Sequence, residues 1–159
     1  MSETSARWLD PAEKAAWLSY RQMTRLLDAQ LASDLQADSG LSESDYDVLG
    51  TLNDSEVTWC LKDLGARLLW SQSRLSHHIA RMAARGLVER LLCPTDGRGT
   101  DVAITPAGRE AIVVAAPGHV ESVRRHFFDH LNAADIKALT GIGEKINEHL
   151  RAGLDQTRI

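Results

Sequence analysis

Apolar residues recur at helical spacing along most of this chain, and each periodic segment has recognisable ends. The first segment spans about residues 10–37 and opens with Asp10-Pro11-Ala12-Glu13, which is typical of a capping box with proline at the first helical position. Asp38-Ser39-Gly40 ends it. Ser42-Glu43-Ser44-Asp45 caps a second helix, and Asn132-Ala133-Ala134-Asp135 caps the last one.

The centre of the chain has a different pattern, in which two short helices precede two strands. Helices are predicted over about 60–68 and 71–85, and the second places Leu75, Ile79 and Met82 on its inward face. Gly86 supplies the left-handed stop. Residues 87–93 and 100–105 are strand candidates around a turn with an Asp-Gly step. This order predicts a winged helix-turn-helix.

The outer helices carry apolar stripes that the central motif is too small to cover. Thr105-Pro106 opens a helix that is predicted to reach Leu131, with an interruption and a kink at Pro117-Gly118. The last helix has a stripe of isoleucine and leucine residues between Ile136 and Leu150. We therefore expect these helices to be buried against a second copy of the chain.

The expected fold class is mainly α with a small β-hairpin, namely a winged helix-turn-helix flanked by N- and C-terminal dimerisation helices. Residues 41–106 are expected to form the winged helix-turn-helix DNA-binding lobe, and residues 10–37 and 107–150 the helical dimerisation region. Residues 1–9 and 153–159 are expected to be flexible ends.

Composition narrows the class of protein. The 159 residues include 43% apolar and 25% charged residues, which excludes a disordered or collagen-like chain, and no apolar run is long enough for a membrane span. The first residues lack the features of a secretory signal. Two cysteines are too few for a disulfide scaffold, so a reducing cytoplasm is the expected location. Neither a cofactor nor a metal is predicted.

The distribution of charge points to a polyanionic partner, although the net charge is −4. Residues 60–110 contain eight Lys or Arg residues and five acids, a local charge of +3, so the remainder carries −7. Local potential decides where phosphate binds. A basic centre between acidic flanks therefore favours nucleic-acid binding.

The second helix of the central motif has the side chains that a recognition helix needs on its outer face. The candidates for DNA contact are Ser71, Gln72, Ser73, Arg74, Ser76, His77 and Arg81. Gln72 has the chemistry to pair with adenine and Arg74 with guanine. The alternative is an ordinary amphipathic helix whose polar face is only solvated.

The predicted hairpin tip adds a second candidate contact. Arg98 stands between two glycines, which suits insertion into a minor groove, and Asp96 is close enough in sequence to orient it. The alternative is a solvated turn in which Asp96 caps the backbone.

Residues 40–108 resemble the multiple-antibiotic-resistance regulator (MarR) family of bacterial winged-helix repressors. The resemblance rests on Gly40-Leu41-Ser42, Asp47-Val48-Leu49, Asp63-Leu64-Gly65-Ala66-Arg67-Leu68, Ser71-Gln72-Ser73-Arg74-Leu75-Ser76, Gly86-Leu87-Val88-Glu89-Arg90, Asp96-Gly97-Arg98 and Ile104-Thr105-Pro106-Ala107-Gly108. It implies a homodimer that binds a pseudo-palindromic duplex site and is often released by a small ligand. It also assigns DNA contacts to the recognition-helix residues named above and to Arg98, with Asp96 as its support.

Five positions depart from the family pattern, and one of them is His77, where a longer basic residue is common. The family often has arginine at the position of Gln72 and threonine or serine at that of Arg74, so the preferred DNA sequence is expected to differ. Trp70 replaces a smaller apolar residue in the turn, and Cys60 falls where a hydroxyl N-cap is usual.

Three hypotheses concern a signal that the protein could sense. Cys60, at a predicted helix N-terminus, is a candidate redox site, with a merely structural role or capping by Thr58 as the alternative. His126 and His130 are four residues apart in one predicted helix, but two ligands do not make a closed metal site. Aromatic side chains could instead line a pocket for a small aromatic or anionic inducer, or simply pack: Trp17, Tyr20, Tyr46, Trp59 and His119.

Two other functional classes compete with a regulator. The serines and histidines of residues 71–78 lack a third group that could orient a base, so no enzyme is predicted. The alternative is a winged-helix protein-interaction module without DNA binding. The basic central segment argues against that alternative.

Overall fold

The computed structural model describes residues 6–55, 58–92 and 99–156. The elements in chain order are α1 (Pro11–Ser39), α2 (Glu43–Asn53), β1 (Trp59–Cys60), α3 (Leu61–Leu68), α4 (Gln72–Ala84), β2 (Val88–Leu92), β3 (Thr100–Ile104), α5 (Pro106–His126) and α6 (Ala133–Gln156), with one 3₁₀ turn at Phe128–His130. The chain divides into two compact units, the first ending at Ser122 and the second beginning at Val123.

The capping box predicted at the start of α1 is present, and the cap predicted at the start of α2 is a capping box as well. The Glu13 amide donates to Asp10 Oδ1 at 2.8 Å, and the Asp10 amide donates to Glu13 Oε2 at 2.9 Å. Ser42 and Asp45 make the same reciprocal pair. Gly40 ends α1 at a φ of 70°, in the left-handed region that favours glycine. Local sequence therefore sets both ends of α1 and the start of α2.

The hydrophobic core of the first unit joins the end of α1, helices α2 to α5 and the sheet. Leu75, Ile79 and Met82 are fully buried, as their spacing predicts. Around them the core contains leucine, valine and isoleucine side chains of every neighbouring element, among them Leu35, Val48, Leu49, Leu64, Val88, Val102 and Ile112. Burial of the inward face of α4 forces its polar residues outward.

The described strands form an antiparallel sheet in the order β1-β3-β2, of which the sequence predicted only the β2–β3 hairpin. In that hairpin Val88 pairs with Ile104, and Leu92 pairs with Thr100. The added strand β1 pairs Trp59 with Val102. Two residues are too few to show an alternating pattern, so β1 exists only because β3 offers it a free edge.

The junction between the sheet and α5 explains why Thr105 and Gly108 are three residues apart. The Gly108 amide donates to Thr105 Oγ1 at 3.0 Å, and that hydroxyl donates to the Gly86 carbonyl at 2.6 Å. A Cβ on Gly108 would overlap the backbone carbonyl of Leu87. Glycine therefore allows the first turn of α5 to pack directly on the turn between α4 and β2.

Helix α5 corrects the sequence prediction twice. It continues without interruption through Pro117 and ends at His126 rather than at Leu131. Proline removes one backbone hydrogen bond, but Ile112 and Ala115 before it and Ser122 after it are buried and hold the helix. The chain leaves helical geometry at Phe127, whose φ of −130° and ψ of −66° end the helix.

The second unit consists mainly of α6. Asn132 Oδ1 accepts from the amides of Ala134 and Asp135, which confirms the predicted cap. The helix reaches Gln156, beyond the apolar stripe that ends at Leu150 and into residues 153–159, which were predicted to be a flexible end. Every residue of its apolar stripe is exposed, with fractions from 39% at Ile136 to 56% at Ile142 and Leu150. In the described ranges, no helix has the length and apolarity that spanning a bilayer requires.

Candidate nucleic-acid interface

Helix α4 presents a polar outer face that begins at its N-cap. Ser71 caps the helix, and its Oγ accepts from the Arg74 amide at 3.3 Å. Gln72 and Ser73 are exposed on the same helix. The amides of a helix N-terminus and its exposed polar residues are groups that can bind phosphates and base edges.

The seven predicted contact residues at α4 lie together on or beside one polar face. All of them are at least partly exposed, with Ser76 half-buried: Ser71, Gln72, Ser73, Arg74, Ser76, His77 and Arg81. Arg98 and Asp96 of the predicted wing tip, and Cys93 before them, lie outside the described residues. Their assignments stay predictions.

Trp70 forms a platform beneath the start of α4. The guanidinium carbon of Arg74 lies 4.0 Å from the centroid of the Trp70 ring, within cation–π range. Another neighbour of this ring is His78, whose centroid lies 5.5 Å away at an interplanar angle of 86°. The Arg74 side chain is thus held by a ring that is anchored on the buried side of the helix.

A buried polar cluster lies behind this face and joins α4 to α2. Asp45 Oδ2 accepts from Arg85 Nη1 at 2.7 Å, and Asp45 Oδ1 lies 3.1 Å from His78 Nε2. The latter two atoms are not aligned for a hydrogen bond. Arg81 Nη2 lies 2.9 Å from His78 Nδ1. Because arginine only donates, Nδ1 accepts, and the neutral ring is assigned its proton on Nε2, facing Asp45.

The surroundings of the cluster lower the pKa of both His78 and Asp45. Burial lowers the pKa of His78 below its ordinary value, and the positive charge of Arg81 acts in the same direction, against the carboxylate of Asp45. Burial alone would raise the pKa of Asp45. The hydrogen bonds from Arg85 and Ser42 together outweigh burial, so the pKa of Asp45 is lowered. A neutral imidazole thus faces an ionised carboxylate.

Sequence reasoning missed both the cluster and the platform. His78 is three residues after Leu75 and one before Ile79, so helical periodicity alone could have placed it on the inward face. Asp45 was assigned only as part of a cap, and nothing local to it points to Arg85, which is forty residues away. That pairing depends on how α2 and α4 pack.

The predicted pocket residues form two ring pairs and a separate indole. Tyr46 and His119 have centroids 4.4 Å apart, and Trp17 and Tyr20 have centroids 5.9 Å apart. Trp59 is half-buried on β1. Trp59 Nε1 and His119 Nδ1 are both buried without a hydrogen-bond partner. The pocket itself stays a prediction.

The structure leaves the redox hypothesis untested but separates the two histidines of the metal hypothesis. Cys60 is a half-buried free cysteine at the N-cap of α3, and it makes no side-chain capping bond, so its redox role stays a prediction. His126 and His130 do not share a helix, because α5 ends at His126 and His130 lies in the 3₁₀ turn. Across the described ranges, no three His, Cys, Asp or Glu residues are grouped so that they could hold a metal.

Comparison with known proteins agrees with this geometry. A model of the MarR family matches residues 39–99. The chain is similar to AbsC, a MarR family transcriptional regulator from Streptomyces coelicolor, with 42% identity and a TM-score of 0.86 over 92% of this chain and 99% of that one. It is similar to Sco3205 of the same organism, solved in complex with DNA, with 35% identity and a TM-score of 0.87 over 93% of each chain.

A more distant solved structure is BpsR from Bordetella bronchiseptica, whose DNA binding is regulated by 6-hydroxynicotinic acid. It shares 25% identity with this chain and a TM-score of 0.73 over 85% of this chain and 99% of that one. A comparison with curated proteins found no match.

The helices α2 to α4, the sheet and the exposed polar face of α4 define a winged helix-turn-helix protein. The likeness to AbsC extends over nearly both chains. The chain therefore belongs to the MarR family of transcriptional regulators, and it is a regulator rather than an enzyme.

Proposed function

We propose that this regulator binds a pseudo-palindromic duplex DNA site as a homodimer, represses transcription there, and releases the site when a small aromatic acid binds. It would act in the cytoplasm, where bacterial DNA lies. The observation that carries DNA binding is the outer face of α4, where Gln72 and Arg74 are exposed at the helix N-terminus and Arg81 is exposed in the last turn. Sco3205, which is similar over 93% of its length, was solved with DNA. These features disfavour the alternative of an interaction module without DNA binding.

The test of DNA binding is salt dependence, followed by selection. The purified chain should bind a duplex of mixed sequence about three helical turns long, with affinity falling linearly in a log–log plot against salt. Selection from a random library should then return a pseudo-palindrome. Arg74→Gln should weaken binding to the selected duplex roughly tenfold, whereas Arg151→Gln on α6 should not. Absence of binding at low salt would favour the interaction module.

Homodimerisation is supported by apolar side chains that the chain itself does not cover. On α1, Trp17, Leu18, Tyr20 and Leu26 are about half exposed or more. On α6, Ile142, Ile146 and Leu150 are more than half exposed. Apolar faces of this extent mark interaction sites, and a two-fold dimer is the commonest way to cover them. The proposed interface comprises residues 10–37 and 107–150, outside the DNA-binding lobe of residues 41–106.

Sedimentation velocity at micromolar concentration tests the dimer. The unmodified chain should sediment as a dimer, and Ile142→Lys, in the middle of the α6 stripe, should weaken association by about tenfold or more, since it places a charge in an apolar interface. Glu144→Lys puts the same side chain on the opposite side of the helix and should leave the dimer intact. A folded monomer at these concentrations would contradict the proposal.

Binding of a small aromatic acid is supported by an aromatic pair and by two buried polar atoms that lack hydrogen-bond partners. Tyr46 lies against His119, whose Nδ1 is buried without a hydrogen-bond partner, as is Trp59 Nε1. Buried polar atoms without partners are rare in folded proteins. An aromatic acid that stacks on these rings would bring its carboxylate within reach of His119, whose ring can donate a hydrogen bond to it. BpsR offers a precedent with 6-hydroxynicotinic acid.

Calorimetric titration with 6-hydroxynicotinic acid and with benzoic acid tests this site. Binding should weaken about tenfold in His119→Ala and remain unchanged in His149→Ala, which alters an exposed histidine of α6. The bound acid should lower the affinity for the selected duplex. Equal affinity in both variants would place the ligand elsewhere.

A further inference from the structure

We infer that Trp70 is a positioning residue that holds the Arg74 guanidinium in place for reading a base, and so contributes to DNA sequence specificity. The inference rests on the proposed DNA binding and deepens it. Trp70 itself lies in the turn before α4 and is not among the residues predicted to contact DNA. Its role would be exerted through Arg74.

The turn between α3 and α4 fixes the Trp70 backbone. Leu69 is left-handed at a φ of 55°, and the Trp70 amide donates back to the Gly65 carbonyl at 2.9 Å. This is the hydrogen bond of a Schellman motif, and it reverses the chain tightly. The indole is half-buried and packs against the hydrophobic core. Both the backbone and the ring are therefore fixed before any ligand is present.

A residue of α4, His78, also contacts the Trp70 ring. This edge-to-face contact reaches a residue that is only 6% exposed and lies 3.1 Å from Asp45. Arg74 lies on the Trp70 face, 4.0 Å from the centroid, on the exposed side of the helix. The chain of contacts thus runs from the interior of the lobe to the guanidinium of an exposed arginine.

The position of Arg74 over the ring is compatible with base recognition. The guanidinium carbon lies 4.0 Å from the ring centroid, a separation at which the guanidinium can lie parallel to the ring. In that orientation its N–H groups, which lie in its plane, point past the ring and can donate to the N7 and O6 acceptors of guanine. Arg74 is the third residue of α4, and the N-terminal residues of a recognition helix contact base edges. A side chain that is already ordered loses less freedom on binding.

A double-mutant cycle on the duplex selected with the unmodified protein tests this inference. Arg74→Ala should weaken binding about tenfold and Trp70→Leu roughly fivefold, with no further loss in the double variant. Trp70→Phe, which keeps an aromatic face, should recover most of the affinity. Arg90→Ala on β2 provides the matched control, because its effect should add to that of Trp70→Leu.

A second readout uses the free protein. The Arg74 Nε–H should give a high order parameter by ¹⁵N relaxation and a ring-current shift, and both should be lost in Trp70→Leu while the fold is retained. Additive losses in the cycle, or an unchanged Arg74 signal, would overturn the positioning role alone. Failure of the unmodified protein to bind any duplex at low salt would instead overturn the proposed function, and the base-reading role with it.

Discussion

The imidazole of His78 lies 3.1 Å from the carboxylate of Asp45 inside the first unit and so links the inward face of α4 to the first turn of α2. Arg81 and Arg85 contact the two members of this pair from either side. The orientation of α4, and with it of the exposed face, is thus coupled to the ionisation of two buried groups.

Stability should fall as the medium becomes acidic. The pKa of His78 is lowered in the folded protein from its ordinary value of 6.5, so between these two values the unfolded chain binds more protons. The contribution of His78 to the free energy of unfolding is therefore fully present above pH 6.5 and is lost as the pH falls toward the pKa of the folded state. The free energy of unfolding should fall by up to about 1.4 kcal/mol per pH unit in this range. Denaturant unfolding from neutral to mildly acidic pH should show this loss.

Two variants test whether His78 causes this dependence of stability on pH. His78→Gln should flatten it, whereas His77→Gln, which changes the neighbour on the outer side of the helix, should leave it unchanged. Because the pKa of Asp45 is also lowered, a further loss should appear only as the pH falls below the ordinary value of an aspartate. Equal curves for the two histidine variants would contradict this prediction.

Removal of Arg85 should destabilise the lobe more than neutralisation of Asp45 does. Arg85→Gln leaves an almost fully buried carboxylate without its positive partner, with the Ser42 amide still donating to it, at a cost of about 2–3 kcal/mol. Asp45→Asn should cost less, because it removes the buried charge itself and leaves an Arg85 side chain that is 45% exposed and can be hydrated. Urea unfolding measures both, and the reverse order would show that the buried carboxylate does not depend on Arg85.

Gly108→Ala should be strongly destabilising although alanine is the better helix former. A Cβ at this position would overlap the Leu87 carbonyl, which is backbone and cannot rotate away, so we expect a loss of about 3 kcal/mol or more, in the upper range of single substitutions. Gly118→Ala is the matched control on the same helix. Its Cβ would lie 3.5 Å from Asp38 Oδ2, an ordinary contact, and a gain of up to about 1 kcal/mol is expected. Thermal unfolding should separate the two variants with opposite signs.

Leu69→Gly should stabilise the protein. Leu69 adopts a φ of 55° and is 76% exposed, so glycine would relieve left-handed strain of about 1 kcal/mol at little loss of burial. Leu69→Ala keeps a Cβ and should give no such gain. Equal melting temperatures for the glycine and alanine variants would show that the turn carries no strain.

Gln72→Ala should change which bases are preferred more than how tightly unrelated duplexes bind. Gln72 is exposed in the first turn of α4 and uncharged, so its loss removes base contacts and no phosphate charge. Repeated selection should relax one position in each half-site. Arg81→Gln, which removes a charge, should instead reduce the salt slope by about one. A uniform loss across sequences would show that Gln72 only positions the backbone.

The sequence alone determined both ends of α1, the start of α2, the inward face of α4 and the class of fold. Capping boxes at Asp10 and Ser42 act through hydrogen bonds over three residues, and the burial of Leu75, Ile79 and Met82 follows from helical spacing. Both are local properties that a pattern records. The polar face of α4 could be predicted because it consists of the residues on the side of the helix opposite this buried face.

Tertiary structure decided the contacts between segments that are distant in sequence, which local patterns do not record. Strand β1 exists because β3 has a free edge, and α5 passes through Pro117 because buried side chains hold it on both sides. Asp45 meets Arg85, and Gly108 meets Leu87, only when distant segments pack. The free energy of such contacts depends on pairs of residues far apart in sequence, so it is fixed by packing and not by the periodicity of any single helix.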